Sequence, residues 1–212
     1  MRISHLFILL AASAMLTACD FLDEYNPNSV TVGNYYTSEE DIVASLNGVY
    51  TSLTQSYVAD NYHYFTDVRA NATVVTNSGA NSGIPYQFYN YTLTEENVYV
   101  YNRYSQLYKI ISRANTLFAH LGDVSYATPS ARDTYEAEAR FLRALSYYWL
   151  VTEWGDVPLV LKVLESTEEV RANNYRRPKA EIYQAIFDDL KYVTESPLPD
   201  VQPARSVPLN DL

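Results

Sequence analysis

Apolar residues recur at steps of three and four along most of the chain, the spacing that lines up one face of an α-helix. The first stretch follows Thr37-Ser38-Glu39-Glu40, which has the form of a capping box, a hydroxyl with a carboxylate three residues later. Ile42, Leu46, Val49, Tyr50 and Leu53 then share a face. The second runs from about Glu95 to Leu121 through Val98, Tyr101, Tyr104, Tyr108, Ile111, Asn115, Phe118 and Leu121, with Gly122 as its stop. Asn115 interrupts this stripe. A buried amide needs hydrogen-bond partners, so Asn115 is expected to tie its helix to neighbouring backbone. The third runs from about Pro129 to Trp154, with Ala137, Phe141, Ala144, Leu145, Tyr148 and Thr152 on one face and Glu136 and Arg140 as an i,i+4 pair on another. Arg140 and Arg143 lie in this packing helix and are assigned to structural ion pairs. Gly155-Asp156-Val157-Pro158 ends it, since Gly accepts a left-handed cap and Pro cannot continue a helix. A fourth helix starts at Arg176-Arg177-Pro178, carries Ile182, Ile186, Leu190 and Val193, and stops at Pro197 and Pro199.

Residues 55–94 break the pattern. They are rich in Asn, Tyr, Ser, Thr and Gly, with Gly79, Gly83 and Pro85 as breakers, and only Tyr62 and Tyr64 alternate briefly in a strand-like way. This reads as a long structured excursion, and long loops on rigid scaffolds are where binding residues concentrate. The predicted class is mainly α: helical hairpins in a TPR-like arrangement with one long loop-rich insertion. The strict repeat consensus of TPR proteins is not visible.

The N-terminus carries an address. Arg2 precedes a short apolar run, Leu6 to Met15, too short to span a bilayer as a helix. Leu16-Thr17-Ala18-Cys19 resembles the bacterial lipobox, which makes residues 1–18 a lipoprotein signal peptide and Cys19 the lipidated residue. Several acyl chains on one residue exceed the roughly two signals that stable anchoring needs. Residues 19–34, acidic and then Asn/Pro-rich, read as a tether, and 35–212 as the helical domain.

Composition narrows the function. The formal net charge is −10, and the leader contributes one base and no acid, so the remainder is more acidic still. Such a surface lacks the clustered Lys and Arg that phosphate backbones require, which argues against nucleic acid. Cys19 is the single cysteine, so disulfide frameworks and Cys-rich zinc sites are excluded. His63 and His120 are far apart, and no metal or cofactor is expected. No nucleophile elbow, P-loop or dinucleotide fingerprint is present. Tyrosine is abundant: 21 Tyr against 2 Trp and 7 Phe. A tyrosine ring offers a flat apolar face with a polar tip, which suits both helix packing and the C–H side of a sugar. The insertion combines such rings with polar groups able to bond hydroxyls. The candidate ligand residues are Tyr62, Tyr64, Asp67, Arg69, Asn71, Asn77, Asn81 and Tyr86.

One stretch is more specific. Ala137-Glu138-Ala139-Arg140-Phe141-Leu142-Arg143-Ala144, followed by Tyr147-Tyr148-Trp149-Leu150 and Trp154-Gly155-Asp156-Val157-Pro158-Leu159, resembles the SusD/RagB family. Asp20-Phe21-Leu22, Gly48-Val49-Tyr50, Tyr108 to Asn115, and Arg177 to Tyr183 with Asp188-Asp189-Leu190 match its other segments in order. The resemblance implies a TPR-based α-superhelix with a loop-rich ligand face, anchored by lipid in the outer membrane. It also implies a glycan or oligosaccharide ligand, sometimes a peptide, and a SusC-like TonB-dependent transporter as partner, with binding rather than cleavage. Two departures stand out. Family members are longer, and Ser206 to Leu212 reads as a lead-in to more chain, so a shortened member is expected. Some members place Trp in the region of residues 60–90, where this chain offers Tyr62, Tyr64, Tyr86, Tyr89 and Tyr91, and Tyr104 stands where the family often has Trp. Three readings follow: a glycan-capturing lipoprotein, a helical-repeat scaffold that binds protein only, and a surface glycan hydrolase without a motif.

Overall fold

The computed structural model describes residues 35–199 apart from 56–57, 59–60, 78 and 80–82. The leader read at 1–18, Cys19 and its tether, Asn81 and the tail after Asp200 lie outside the described residues. The helices belong to one compact unit that begins at Tyr36. They are α1 (Glu39–Leu53), α2 (Tyr86–Tyr89), α3 (Val98–His120), α4 (Ala131–Trp154), α5 (Thr167–Asn173) and α6 (Lys179–Glu195), with a π-helical turn at Tyr64–Val68. Among the described residues the only β pairing is one antiparallel bridge, Val157 with Arg177.

The cap of α1 sits one residue later than the sequence suggests. Ser38 is the N-cap and Asp41, not Glu40, closes the box. Asp41 Oδ2 accepts from the backbone amides of Thr37 and Ser38 at 3.0 and 2.9 Å and from both their hydroxyls. These bonds, led by the Ser38 hydroxyl, hold the Asp41 carboxyl below the usual carboxylate range.

Helix α3 is placed as expected, but its core face is rotated from the aromatic stripe. Leu107, Ile110, Ala114 and Leu117 are fully buried, whereas Tyr101 and Val98 are exposed. Tyrosines keep a wet edge at the margin of a helix contact, and the aliphatic residues take its centre. The start of α3 is fixed by Asn97, whose Oδ1 accepts from the amides of Tyr99 and Val100. Its Nδ2 donates to the Ile84 carbonyl and to Gln87 Oε1, which ties the insertion to α3. Gly122 does not adopt a positive φ. The turn after α3 is closed by the Asp123 amide on the His120 carbonyl.

Helix α4 shows the same rotation. Ala139, Leu142, Ser146, Tyr147 and Leu150 are buried, while Phe141 and Tyr148 face solvent. Gly155, at φ 74°, ends it, as the sequence predicts. Pro178 precedes the first helical residue of α6 rather than occupying it. The opening amide of α6, at Lys179, donates to Asp156 Oδ1 in the turn after α4 at 2.8 Å. Helix α5 escapes the periodicity because it buries nothing. Its Ser166 cap accepts from the Glu169 amide, and Ser166-Thr167-Glu168-Glu169 is the legible trace of it.

Contacts set the architecture. The start of α3 meets the end of α4 through Arg103 and Glu153, and the end of α3 meets the first half of α4 through Phe118 and Arg140, so the two run antiparallel. Helix α6 returns along α4: Asp156 meets its start, and Arg140 meets Asp189 and Tyr192 further on. Helix α1 packs on α3 and α4, with Ile42, Leu46 and Val49 in the common core. The result is the expected mainly α array of TPR-like hairpins.

The α3–α4–α6 junction is polar inside. Arg143, 5% exposed, sends two bonds to Asp189 at 2.8 and 2.7 Å and one to Asn115 Oδ1 at 2.7 Å. Arg140 adds a third bond to Asp189 while bonding Glu136. Asn115 Nδ2 donates to the carbonyls of Val160 and Lys162, the backbone tie that the sequence predicts. Breaking a buried pair on one side costs about 3–5 kcal/mol, because the remaining charge stays desolvated. Asp189→Ala is therefore expected to lower unfolding free energy by about that amount in urea denaturation with an unchanged m value.

Candidate functional site

The insertion folds around a second small core of Phe65, Val68 and Phe88, flanked by Tyr64, Tyr89, Tyr99, Val100 and Trp154. The brief strand-like alternation at Tyr62 and Tyr64 is overturned: Tyr62 and His63 are helical and lead into the π turn. The cause is packing, since Phe65 and Val68, three apart, both point at Phe88 and so require a helical backbone. Asn71, at φ 56°, terminates the turn.

Between this turn and the last turns of α4 lies a cleft of about 440 Å³, within the range of small-molecule sites. Tyr62, Phe65, Thr66 and Arg69 form one wall, and Tyr148, Trp149, Thr152 and Glu153 the other. Tyr91 closes an edge. It sits at φ 58°, an uncommon conformation for a bulky residue. Its hydroxyl donates to the Arg69 carbonyl at 2.7 Å, which pins the loop after α2 to the π turn. Tyr62, Tyr91 and Tyr148 are all substantially exposed, so flat ring surface is presented to solvent.

Beneath the cleft lies Arg103, fully buried. Its Nε and Nη2 donate to the two oxygens of Glu153 at 2.7 and 2.6 Å, and its Nη1 donates to the Val58 carbonyl. The guanidinium carbon lies 4.9 Å from the ring centres of Tyr62 and Phe65 and 5.4 Å from that of Trp149. One cation thus holds three rings of the site by contact with their faces. It also joins the insertion, α3 and α4 at a single point.

The structure distributes the sequence candidates. Tyr62 and Arg69 line the cleft together. Tyr64 and Asn77 line a separate hollow of about 270 Å³ with Val68, Thr73 and Pro85. Burial raises the Tyr64 hydroxyl above its ordinary pKa, with Tyr99 adding to the shift. Asp67 is exposed on the π turn, and its backbone carbonyl accepts from the Ala72 and Thr73 amides. Asn71 serves the turn, Asn77 Oδ1 accepts from the Gly79 amide, and the Tyr86 ring packs on Tyr89 at 5.6 Å. Asn81 lies outside the described residues. Tyr148 and Thr152, which the periodicity assigns to a packing face, belong to the cleft wall, and Trp149, Glu153 and Arg103 join them. Arg103 has a sequence signal: it continues the buried series Leu107, Ile110, Ala114, Leu117 in step, and a charged residue in such a register demands a partner.

Fold and cleft define a class of protein, a scaffold of antiparallel helix pairs whose candidate cleft is shared between a long insertion and one helix end. The chain belongs to the SusD-like family, whose profile, described as starch-binding and associating with the outer membrane, matches residues 20–205. SusD-like protein P2 of Formosa agariphila is 28% identical, over 98% of this chain and 40% of its own length. A SusD-like protein of Bacteroides ovatus is 25% identical, over 91% of this chain and 35% of its own. The chain thus spans two fifths or less of the length of these curated relatives. Among solved structures, a SusD-like protein from Bacteroides fragilis superposes with a TM-score of 0.67 at 22% identity, over 82% of this chain and 32% of that one. A laminarin-binding SusD-like protein gives 0.66 at 28% identity, over 80% and 36%.

Arg103→Ala leaves Glu153 desolvated and three rings unsupported. It is expected to destabilise the protein by about 3–5 kcal/mol in chemical denaturation. It should also redshift tryptophan emission and increase acrylamide quenching, since Trp149 and Trp154 are the only tryptophans and both lie at this site.

Proposed function

We propose that this protein is a cell-surface lipoprotein that captures a glycan in the Tyr62–Tyr148–Trp149 cleft and delivers it to a SusC-like TonB-dependent transporter. The cleft is the observation that carries the reading. Solvent-facing rings on both walls offer stacking surface for sugar C–H faces, and Thr66, Arg69 and Thr152 offer polar groups for hydroxyls. Membership in a starch-binding, outer-membrane family supports the same ligand class and location. So does the laminarin-binding relative at 28% identity. The lipobox-like sequence ending at Cys19 supplies the anchor. Delivery to a barrel is the role that the family resemblance implies.

Binding without cleavage is the better chemistry for this cleft. Glycoside hydrolysis uses two carboxyl groups that flank the scissile bond. Among the described lining residues Glu153 is the single carboxylate, and Arg103 occupies both its oxygens.

Calorimetric titration of the purified protein with a panel of glucans, hemicellulose oligosaccharides and oligogalacturonate is expected to give saturable binding to at least one. Trp149→Ala and Tyr148→Ala should each weaken it roughly tenfold, the scale set by losing about 1.4 kcal/mol of stacked apolar contact. No binding anywhere in the panel would remove the glycan reading. Separately, labelled palmitate fed to expressing cells should enter the wild-type protein and not Cys19→Ala. Equal labelling of both would remove the anchor.

A further inference from the structure

Charge is distributed differently inside the cleft and over the chain. The protein is strongly acidic, with a formal net charge of −10. Within the cleft, however, the carboxylate of Glu153 is paired with Arg103, in a pair whose side chains are 10% and 0% exposed. The remaining charged residue in the lining is Arg69, which is exposed. Among the described residues its guanidinium has no hydrogen-bond or ion-pair partner; Tyr91 bonds its backbone carbonyl only. Asp67, two positions earlier, is exposed but does not line the cleft, and residues two apart diverge on a helical backbone. Among the described residues the cleft therefore carries one uncompensated positive charge. The acidic remainder of the surface is screened beyond about 8 Å at physiological salt, so a bound ligand responds mainly to this local balance.

We infer that the cleft is built for an acidic glycan, whose carboxylate-bearing sugar is received by the Arg69 guanidinium while its ring lies against the aromatic walls. The inference rests on the glycan-binding reading above and narrows it. A planar guanidinium fork matches a carboxylate with two parallel bonds, each roughly twice as strong as a bond to a neutral hydroxyl. A neutral sugar covering the same group removes water from a cation and returns weaker partners. The bidentate clamp of Arg103 on Glu153 also keeps the one nearby carboxylate from repelling an acidic ligand or from neutralising Arg69.

The test is a pair of titrations of the full-length protein with length-matched oligogalacturonate and neutral laminari-oligosaccharide, at low and high salt. The acidic ligand is expected to bind about tenfold more tightly at low salt, with the advantage shrinking as salt rises. Arg69→Gln should abolish the preference without moving the thermal midpoint, since this side chain supports no other group. Arg69→Lys should restore part of it. Arg171→Gln removes the same charge from α5, outside the cleft, and should leave the preference intact. Neutral ligand binding as tightly as acidic, or a preference that survives Arg69→Gln, would overturn the acidic assignment while the glycan reading stands. Binding of neither ligand would overturn this assignment, while the glycan reading stands or falls on the wider panel.

Discussion

A guanidinium sealed from water is the constraint on which the site depends. Taking an ion out of water costs several kcal/mol even after relaxation, so Arg103 is tolerable in the core only with its whole set of partners in place. The described partners include Glu153 from the last turn of α4, the Val58 carbonyl from the link after α1, and rings from both walls of the cleft. No one of them can shift without exposing or stranding the charge. The rings of Tyr62, Phe65 and Trp149 are therefore positioned from below by a buried cation. Side chains fixed in this way would lose little conformational entropy on meeting a ligand.

The same physics recurs at the other side of α4. Arg143 and Arg140 converge on Asp189, and Asn115 links Arg143 to the backbone of the segment after the helix. Tyr147 and Tyr108 complete the belt through the Val160 and Pro158 carbonyls, and burial raises both phenols far above their ordinary range. One polar cluster locks α4 against α6 and the other locks α4 against the insertion. Apolar packing alone would allow such helices to slide or rotate, whereas directional bonds fix their register.

Much of the scaffold was legible from sequence because helix ends and helix periods are local signals. The capping run before Ile42, the Gly155 stop and the prolines at 178 and 197 bracket helices to within a few residues. Faces were harder. Both α3 and α4 carry an aromatic stripe and an aliphatic stripe, and the aromatic one is more conspicuous, but Leu107, Ile110, Leu142 and Leu150 take the core. Asn115 and the two arginines were readable as structural, because a polar residue in a packing helix must find a partner. Asp189, 46 positions from Arg143, was not readable as that partner. The cleft was half legible: Tyr62 and Arg69 lie in the segment whose composition flags it. The other wall belongs to α4, and no local pattern announces that the exposed side of a packing helix faces an insertion some 80 residues earlier.

The way α6 begins has a consequence for how the molecule breathes. Its first amide is capped not from its own chain neighbourhood but by Asp156, and the bridge between Val157 and Arg177 closes the same junction. The end of α4 and the start of α6 therefore open as one cooperative unit. Between them, residues 158–162 are bonded to α3 and α4, while α5, with no buried residue, lies beyond those ties. Local opening free energies scale with burial and with shielded hydrogen bonds. Amide protons of α5 are thus expected to exchange with solvent through small fluctuations that leave the clasp closed, while those at the centres of α4 and α6 wait for larger openings.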